Sequence, residues 1–443
     1  MELKYALVEE RIRVLKALKK SIIAHENAVY KALHQDFAKP EFESYITEFQ
    51  YTINELNLTI KKLKSWSKPK WIVPSIVNFP SFESIHFEPY GNVLIISPWN
   101  YPFQLAMVPL IGAIAAGNKV VLKPSEMATQ TGILIEKIAT DVFKNQEVKI
   151  VLGDADVSKN LLSQRWDYIF FTGSTNVGKI VAKAAAAHLT PCTLELGGKN
   201  PCIIDETANI EITAKRIVWG KFLNAGQTCV APDFLMVQAK EKFNLVEAIK
   251  KEIVLFYGKN PQESPDFARI INDHHWDRLQ RLLTKKDIIF GGESNREIKY
   301  IAPTLLEIND LDHEILQDEI FGPLLPILTY SEPEDLLPFL RKFEKPLAFY
   351  IFSENKVFVN QLIQQISAGG VCVNDTIVQL INHRLPFGGV GMSGMGAYHG
   401  KHTFLTFSHQ KTVVKRATWM DVPIKYAPYS KKIRWIKMLM KWM

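Results

Sequence analysis

From residue 92 onward the chain alternates between two hydrophobic rhythms, and this alternation limits the possible folds more than any other feature. Short apolar runs at 92–96 (NVLII), 119–123 (KVVLK), 148–152 (VKIVL) and 167–173 (DYIFFTG) alternate with longer stretches at helical spacing. These stretches are a helix through Pro109 to Gly117, one from Ala128 and one ending near His188. Strands buried on both faces read as near-continuous apolar runs, and parallel neighbours need a crossover long enough for a helix. Repeated strand–helix units of this kind predict an α/β fold with a Rossmann-type parallel sheet. The rhythm restarts after Gly197 and Gly198, with PCIIDE at 201–206, a helix through Trp219, FLMVQ at 234–238 and a helix from Lys240. A second α/β lobe is expected, with 196–200 as the hinge. At 443 residues the chain is longer than a single core normally serves.

Ahead of these units, Leu15, Leu18, Ile22, Val29 and Leu33 form one amphipathic helical stretch, and Ile53, Leu56, Ile60 and Leu63 a second. Residues 72–90, with Pro74, Pro80 and Pro89, read as an extended arm or hairpin outside both sheets. The start mixes Glu9 and Glu10 with basic residues and lacks the apolar core and cleavage site of a secretory signal, which predicts a cytoplasmic protein. Four cysteines without metal-ligand spacing agree with a reducing compartment and leave room for a catalytic thiol. The formal charge is +7, but residues 421–443 hold six Lys/Arg against one Asp. A nucleic-acid groove needs basic residues spread over a folded face, so nucleic acid is set aside as a partner.

Three residues have the chemistry for reaction at a carbonyl. Cys229 sits in a loop (NAGQTCVAP) between a helix-like stretch and FLMVQ; a buried, inert thiol is the competing reading. Glu195 lies within the apolar run TLEL, where desolvation raises a carboxyl's pKa and suits it to act as a base, although a structural partner to a backbone amide fits equally. Asn100, in SPWNYP after NVLII, is placed where side chains at a strand's carboxyl end enter the ligand crevice; it could also be a turn former. Nucleophile, base and oxyanion donor together are the set that acyl chemistry on a thiol requires.

Gly173–Gly178 (GSTNVG) follows a strand and opens a helix, the context for binding phosphate. Lys123 and Glu126 in KPSE offer a cation and a carboxylate to a ribose, a plain strand-terminating turn being the competing reading. The literal G-x-G-x-x-G at Gly389, Gly391 and Gly394 has neither a strand before it nor an acidic residue at the right distance after it, and is rejected as a dinucleotide site. His274, His275, His399 and His402 lack partners at metal spacing, so no metal is expected.

Seven segments in order, SPWNYPF (97–103), KPSE (123–126), FTGSTNVGK (171–179), LELGGKNP (194–201), GQTCVAPD (226–233), EIFGP (319–323) and PFGGVGMSGMGAYHGKHTFLTFSH (386–409), closely resemble the aldehyde dehydrogenase superfamily. The last segment and the short N-terminus point to its class 3, fatty-aldehyde branch. The resemblance covers nearly the whole chain. It implies oxidation of an aldehyde, long-chain aliphatic or aromatic, to a carboxylate with NAD or NADP as cofactor. Cys229 becomes the nucleophile that carries a thioester, Glu195 the general base, and Asn100 the oxyanion donor beside the Cys229 N–H. Lys123 and Glu126 meet the adenosine ribose, Gly173, Ser174 and Gly178 the pyrophosphate, Thr172 the nicotinamide, and Glu319 and Phe321 its ribose. It further implies a homodimer, and four regions: an NAD(P)-binding domain (1–71 and 91–197), a catalytic domain (198–385), an oligomerisation arm (72–90 and 386–420) and a basic tail (421–443).

Trp219 and Leu223, one helical turn apart, either line an apolar entry channel or pack in the core. In the tail, Arg434, Lys437 and Lys441 fall on one helical face, while Ile433, Trp435, Ile436, Leu439 and Trp442 fill a broad apolar arc. Such a helix over 431–443 suits peripheral contact with a membrane surface and is too short to span one; docking on the enzyme or on a partner subunit is the competing reading. Two alternatives to the hydrolytic dehydrogenase are an enzyme that passes the acyl group to coenzyme A and a catalytically silent scaffold on the same fold.

Overall fold

The computed structural model describes residues 7–75, 78–144, 147–430 and 432–439. The tail positions Lys431, Lys441 and Trp442 lie outside the described residues.

The predicted strand–helix units build two sheets. In the first, β3 (Asn92–Ile96), β4 (Lys119–Lys123), β5 (Val148–Ile150), β6 (Tyr168–Thr172) and β7 (Cys192–Glu195) run parallel, and the short β17 (Gly394–Met395) pairs antiparallel with β7, giving the order β17-β7-β6-β3-β4-β5. Val93, Leu94 and Ile95 are fully buried because helices cover both faces. One of these helices, Gln104–Ala116, is apolar all round and wholly buried, packed against β3, β4 and the amino-terminal helices.

The second sheet contains β8 (Pro201–Ile204), β9 (Phe234–Gln238), β10 (Ile288–Phe290), β13 (Thr304–Glu307), β14 (Leu324–Tyr330), β15 (Ala348–Phe352) and β16 (Gly370–Val373), in the order β10-β13-β14-β9-β8-β15-β16. All its pairs are parallel except β10 with β13. A two-stranded ribbon, β11 (Ser294–Asn295) with β12 (Tyr300–Ile301), lies beside it. The chain crosses between the two sheets at 196–200.

A third sheet, β1 (Lys70–Ile72), β2 (Ser81–Pro89) and β18 (Ser408–Arg416), is antiparallel and joins neither of the others. It brings the 72–90 segment together with the chain after Phe387. The region 386–420 is shared, since β17 completes the edge of the first sheet beside Glu195 while β18 enters the third.

The single helical stretch read over 15–33 is two helices, Val8–Ala24 and Glu26–Phe37, broken at His25. Ile22 and Val29 are seven residues apart and both buried, so the apolar face keeps its phase across the break and periodicity alone cannot reveal it. A wide π turn over Tyr45–Phe49 leads into the helix Gln50–Trp66.

Candidate active site

The carboxyl ends of β3, β6 and β7 face the loop that leads into β9, and between them runs a cleft of about 1140 Å³. Asn100, Thr172, Gly173, Ser174, Glu195, Cys229, Glu319 and Phe321 all line it. Three other sequence-predicted residues, Lys123, Glu126 and Gly178, stand outside that lining.

The loop carrying Cys229 is held in an unusual conformation. Asn224 (φ 55°), Ala225 (φ 52°) and Gly226 (φ 75°) are consecutive left-handed residues. For a residue with a Cβ this costs roughly 1–2 kcal/mol, so the surroundings must over-determine the loop. The Asn224 side chain donates to the carbonyls of Asn100 (2.9 Å) and Gln227 (3.1 Å), and its N–H donates to Glu43 Oε2 (3.0 Å). Gln227 Nε2 donates to the carbonyls of Asn224 and Arg269, while its Oε1 accepts from the Ile271 N–H. Asn200 Nδ2 donates to the carbonyls of Cys229 (2.7 Å) and Ala231 (3.1 Å), and the Tyr350 hydroxyl donates to that of Val230. At Gly226 an added Cβ would stand 2.3 Å from the Gly322 carbonyl oxygen, so both space and φ require glycine.

Cys229 keeps part of its surface open to the cleft. Its desolvated surroundings push the thiol up to about 12, and the nearby Glu319 and Glu195 carboxyls add to the rise. Asn100 is 3% exposed, and its Nδ2 donates one hydrogen bond to the Gln227 carbonyl at 3.1 Å, which places the amide against the thiol loop. Glu195 ends β7 at 2% exposure, and neither carboxyl oxygen has a hydrogen-bond partner among the described residues. Burial holds this carboxyl well above the usual range.

Burial also lifts Glu319, to about 8; Asp233 adds to the shift while the Gly198 N–H, Lys199 and Arg278 oppose it. An added Cβ on Gly197 would meet Glu319 Oε2 at 2.0 Å, so the backbone approaches this carboxyl as only glycine can. Phe321 is itself left-handed (φ 50°) and sits edge-on to Trp99, with ring centroids 5.3 Å apart.

Toward the first sheet, Thr172 Oγ1 is buried without a hydrogen-bond partner among the described residues, and Ser174 caps the helix Thr175–Ala187 by accepting from the Val177 N–H. The N-terminus of that helix, where N–H groups and the macrodipole favour an anion, therefore opens beside Gly173. At the end of β4, Lys123 is 1% exposed, and its Nζ donates to Glu126 Oε2 (2.7 Å) and the Pro124 carbonyl (3.1 Å).

Several lining residues escaped sequence reasoning. Lys199 lies within a quoted motif without an assigned role; it pairs with Asp233 at 2.5 Å and also donates to the Ile315 and Asp318 carbonyls. The Tyr101 hydroxyl is 2.6 Å from Thr228 Oγ1. His399, set aside as a metal ligand, stands in the cleft wall with Tyr51, His383 and Tyr398. Its ring stacks on Phe387 at 4.9 Å, and burial depresses it to about 3. His275, depressed to about 4, packs against Trp99. No spacing rule connects these residues, because helices and loops distant in sequence deliver them. Trp219 and Leu223, left open between channel and core, both line the cleft.

The chain belongs to the aldehyde dehydrogenase family, oxidoreductases that use NAD or NADP: the model of the "Aldehyde dehydrogenase family" matches residues 2–413. A 4,4'-diaponeurosporen-aldehyde dehydrogenase of Staphylococcus aureus is 45% identical to it over 96% of this chain and 94% of its own. Aldehyde dehydrogenase family 3 member H1 of Arabidopsis thaliana is 46% identical over 97% and 90%. A solved structure described as "Substrate bound state of Staphylococcus Aureus AldH" superposes with a TM-score of 0.96 at 44% identity, covering 98% of this chain and 95% of that one. The chain is thus an aldehyde dehydrogenase related to family 3 members, as the motifs implied.

Proposed function

We propose that this enzyme oxidises long-chain aliphatic or aromatic aldehydes to carboxylates through a thioester on Cys229. The observation that carries the reading is the meeting, in one cleft, of a partly accessible thiol, a desolvated carboxyl without a hydrogen-bond partner among the described residues and a buried amide. Once its proton has passed to water, the Cys229 thiolate adds to the aldehyde carbon. The resulting oxyanion is held by Asn100 Nδ2, whose second hydrogen has no partner among the described residues, and by the Cys229 N–H. When bound, NAD or NADP supplies the hydride acceptor and a positive charge. Glu195 takes a proton from water as that water attacks the thioester, which returns the thiol and releases the acid; burial raises its pKa, which strengthens its carboxylate as a proton acceptor.

The residues present fit such a cofactor. Buried Thr172 Oγ1 and Glu319 Oε1, on residues that line the cleft, lack hydrogen-bond partners among the described residues, while Gly173 and Ser174 sit at an open helix N-terminus. In this reading Lys123 and Glu126 hold the adenosine ribose, Gly178 lets the helix lie close to the pyrophosphate, and Glu319 and Phe321 hold the nicotinamide ribose. The substrate class is supported by the apolar side chains of Ile46, Trp219, Leu223, Leu380, Ile381 and Phe387 in the cleft wall, and by a relative named as a 4,4'-diaponeurosporen-aldehyde dehydrogenase.

The test is reduced-nicotinamide formation across short, long-chain and aromatic aldehydes with each cofactor, beside a Cys229→Ala control. A signal that depends on Cys229 and grows with apolar bulk is expected; activity confined to short polar aldehydes overturns the substrate class. Release of free acid separates this reaction from transfer to coenzyme A. No signal with any pair would leave the scaffold alternative.

We infer a cytoplasmic homodimer that touches a membrane surface. Trp71 and Phe82, on β1 and β2, and nearby Trp419 are 67–77% exposed around the antiparallel third sheet, which supports pairing there. In the helix Ile433–Leu439, Ile433, Trp435 and Met438 are exposed beside Arg434 and Lys437, which supports interfacial binding. No described helix is long and apolar enough to cross a membrane. Truncation at Ser430 is expected to abolish co-sedimentation with anionic vesicles, and light scattering to give twice the chain mass.

A further inference from the structure

Three buried charged residues ahead of the first sheet, Lys39, Glu43 and Glu48, are 0%, 7% and 0% exposed. Burying such groups is costly unless each meets a partner, and their partners are the two loops that form the catalytic cleft. Glu48 Oε1 accepts from Lys39 Nζ at 2.7 Å. Its Oε2 accepts the N–H groups of Phe103 (3.0 Å) and Gln104 (2.9 Å), directly after Asn100. The Lys39 ammonium also lies 3.9 Å from the Tyr101 ring centroid, and the Tyr101 hydroxyl reaches Thr228 next to the thiol. Glu43 Oε2 accepts the Asn224 N–H at 3.0 Å, at the first of the three left-handed residues. The π turn at Tyr45–Phe49 spaces Glu43 and Glu48 so that both face these loops.

We propose that Glu43 is a positioning residue for the nucleophile: by accepting the Asn224 N–H it holds the left-handed turn in which the Asn224 side chain ties the Asn100 loop to the Cys229 loop. The proposal rests on Cys229 and Asn100 acting as described above. Glu43 neither lines the cleft nor touches the reacting atoms. Its effect passes through one backbone hydrogen bond, and its loss lets the thiol loop and the oxyanion donor drift relative to each other. Because positional error of about 1 Å acts on the chemical step, kcat is the quantity affected.

The test compares E43A, E43Q and the wild-type enzyme by kcat, by KM for aldehyde and for cofactor, and by melting temperature. E43A is expected to lose on the order of ten- to a hundredfold in kcat, with both KM values little changed. E43Q is expected to recover most of the loss, since its amide oxygen still accepts the N–H. Unchanged kcat in E43A overturns the proposal. So does a fall in kcat that follows the melting temperature and is no better in E43Q. If E43A does not accumulate, E43D replaces it: shortening the side chain by one methylene withdraws the acceptor, so kcat must fall in E43D and not in E43Q, and equal rates in the two refute the role. Full activity in Cys229→Ala would instead overturn the reading of the nucleophile, an outcome distinct from failure at Glu43.

Discussion

Cys229 is the nucleophile proposed here, and in the cofactor-free protein its surroundings oppose that use. Burial and two neighbouring carboxyls favour the thiol, lifting its pKa to about 12. A thiolate is needed for alkylation, so iodoacetamide should modify Cys229 slowly at pH 7, and the rate should climb about tenfold per pH unit without a plateau below pH 10. Mass analysis of the modified peptide measures this; a plateau near pH 7 would show an already activated thiolate. Glu195 gives the complementary prediction. If it serves only the hydrolytic step, Glu195→Gln should still produce a burst of about one reduced nicotinamide per site, followed by turnover slowed on the order of 10²- to 10⁴-fold. Rapid-mixing absorbance distinguishes this from loss of the burst, which would assign Glu195 to the earlier step. That both residues would be candidates was legible in the sequence, because a carboxyl in an apolar run and a thiol in a turn-rich loop are local signals; their lining of one cleft is what the fold adds. The orphaned state of Glu195 was not, since it depends on β17 arriving from about 200 residues away to close the sheet edge.

Between the helix Ile210–Phe222 and β9, the sequence NAGQTC announces a turn without announcing its geometry. Glycine at 226 is compatible with many turns, whereas left-handed Asn224 and Ala225 are tolerated because Glu43, Asn100 and Gln227 bind the loop. Gly226→Ala has no relaxed alternative, since its φ is unfavourable and the new Cβ would meet a backbone carbonyl. It should cost about 1–3 kcal/mol of stability and on the order of 10²-fold in kcat. Denaturant titration and steady-state kinetics measure the two effects, and a variant with wild-type kcat would show that the turn does not set the position of the thiol. The strand runs were readable because each is apolar and locally bounded. The break at His25 was not, because it leaves the apolar periodicity in phase, and neither was the π turn at Tyr45–Phe49, which lies ahead of the apolar repeat from Ile53 to Leu63 by which that helix is recognised.

Across the whole molecule, alternating strand and helix signals gave β3 to β6 of the first sheet and β8 and β9 of the second, but the assembly of the cleft from opposed sheets gathers carboxyls that no local pattern links. That gathering has a consequence for stability. Glu319 is lifted to about 8 in the folded protein, against an ordinary value of 4.5. Between those two values the unfolded chain loses its proton while the folded one keeps it, so stability falls as pH rises and levels off above about 8. Glu43, lifted to about 7, and Glu195 act with the same sign. His275 and His399, depressed to about 4 and 3, act with the opposite sign, but their effect is complete once the unfolded imidazole has titrated near 6.5. Lys221, lowered to about 8, contributes its pH dependence mainly above that value. The window from about pH 6.5 to 8 therefore reports chiefly on the carboxyls. In cofactor-free protein, Glu319→Gln should flatten the decline of Tm with pH across this window. It should raise Tm at pH 8 by a few degrees, on the order expected for removing one buried charge, and leave it almost unchanged at pH 5. A variant whose Tm declines as steeply as wild type would mean that Glu319 is already ionised in the folded protein, held by Lys199, Lys221 and Arg278, and that the cost of its burial has been met within that cluster.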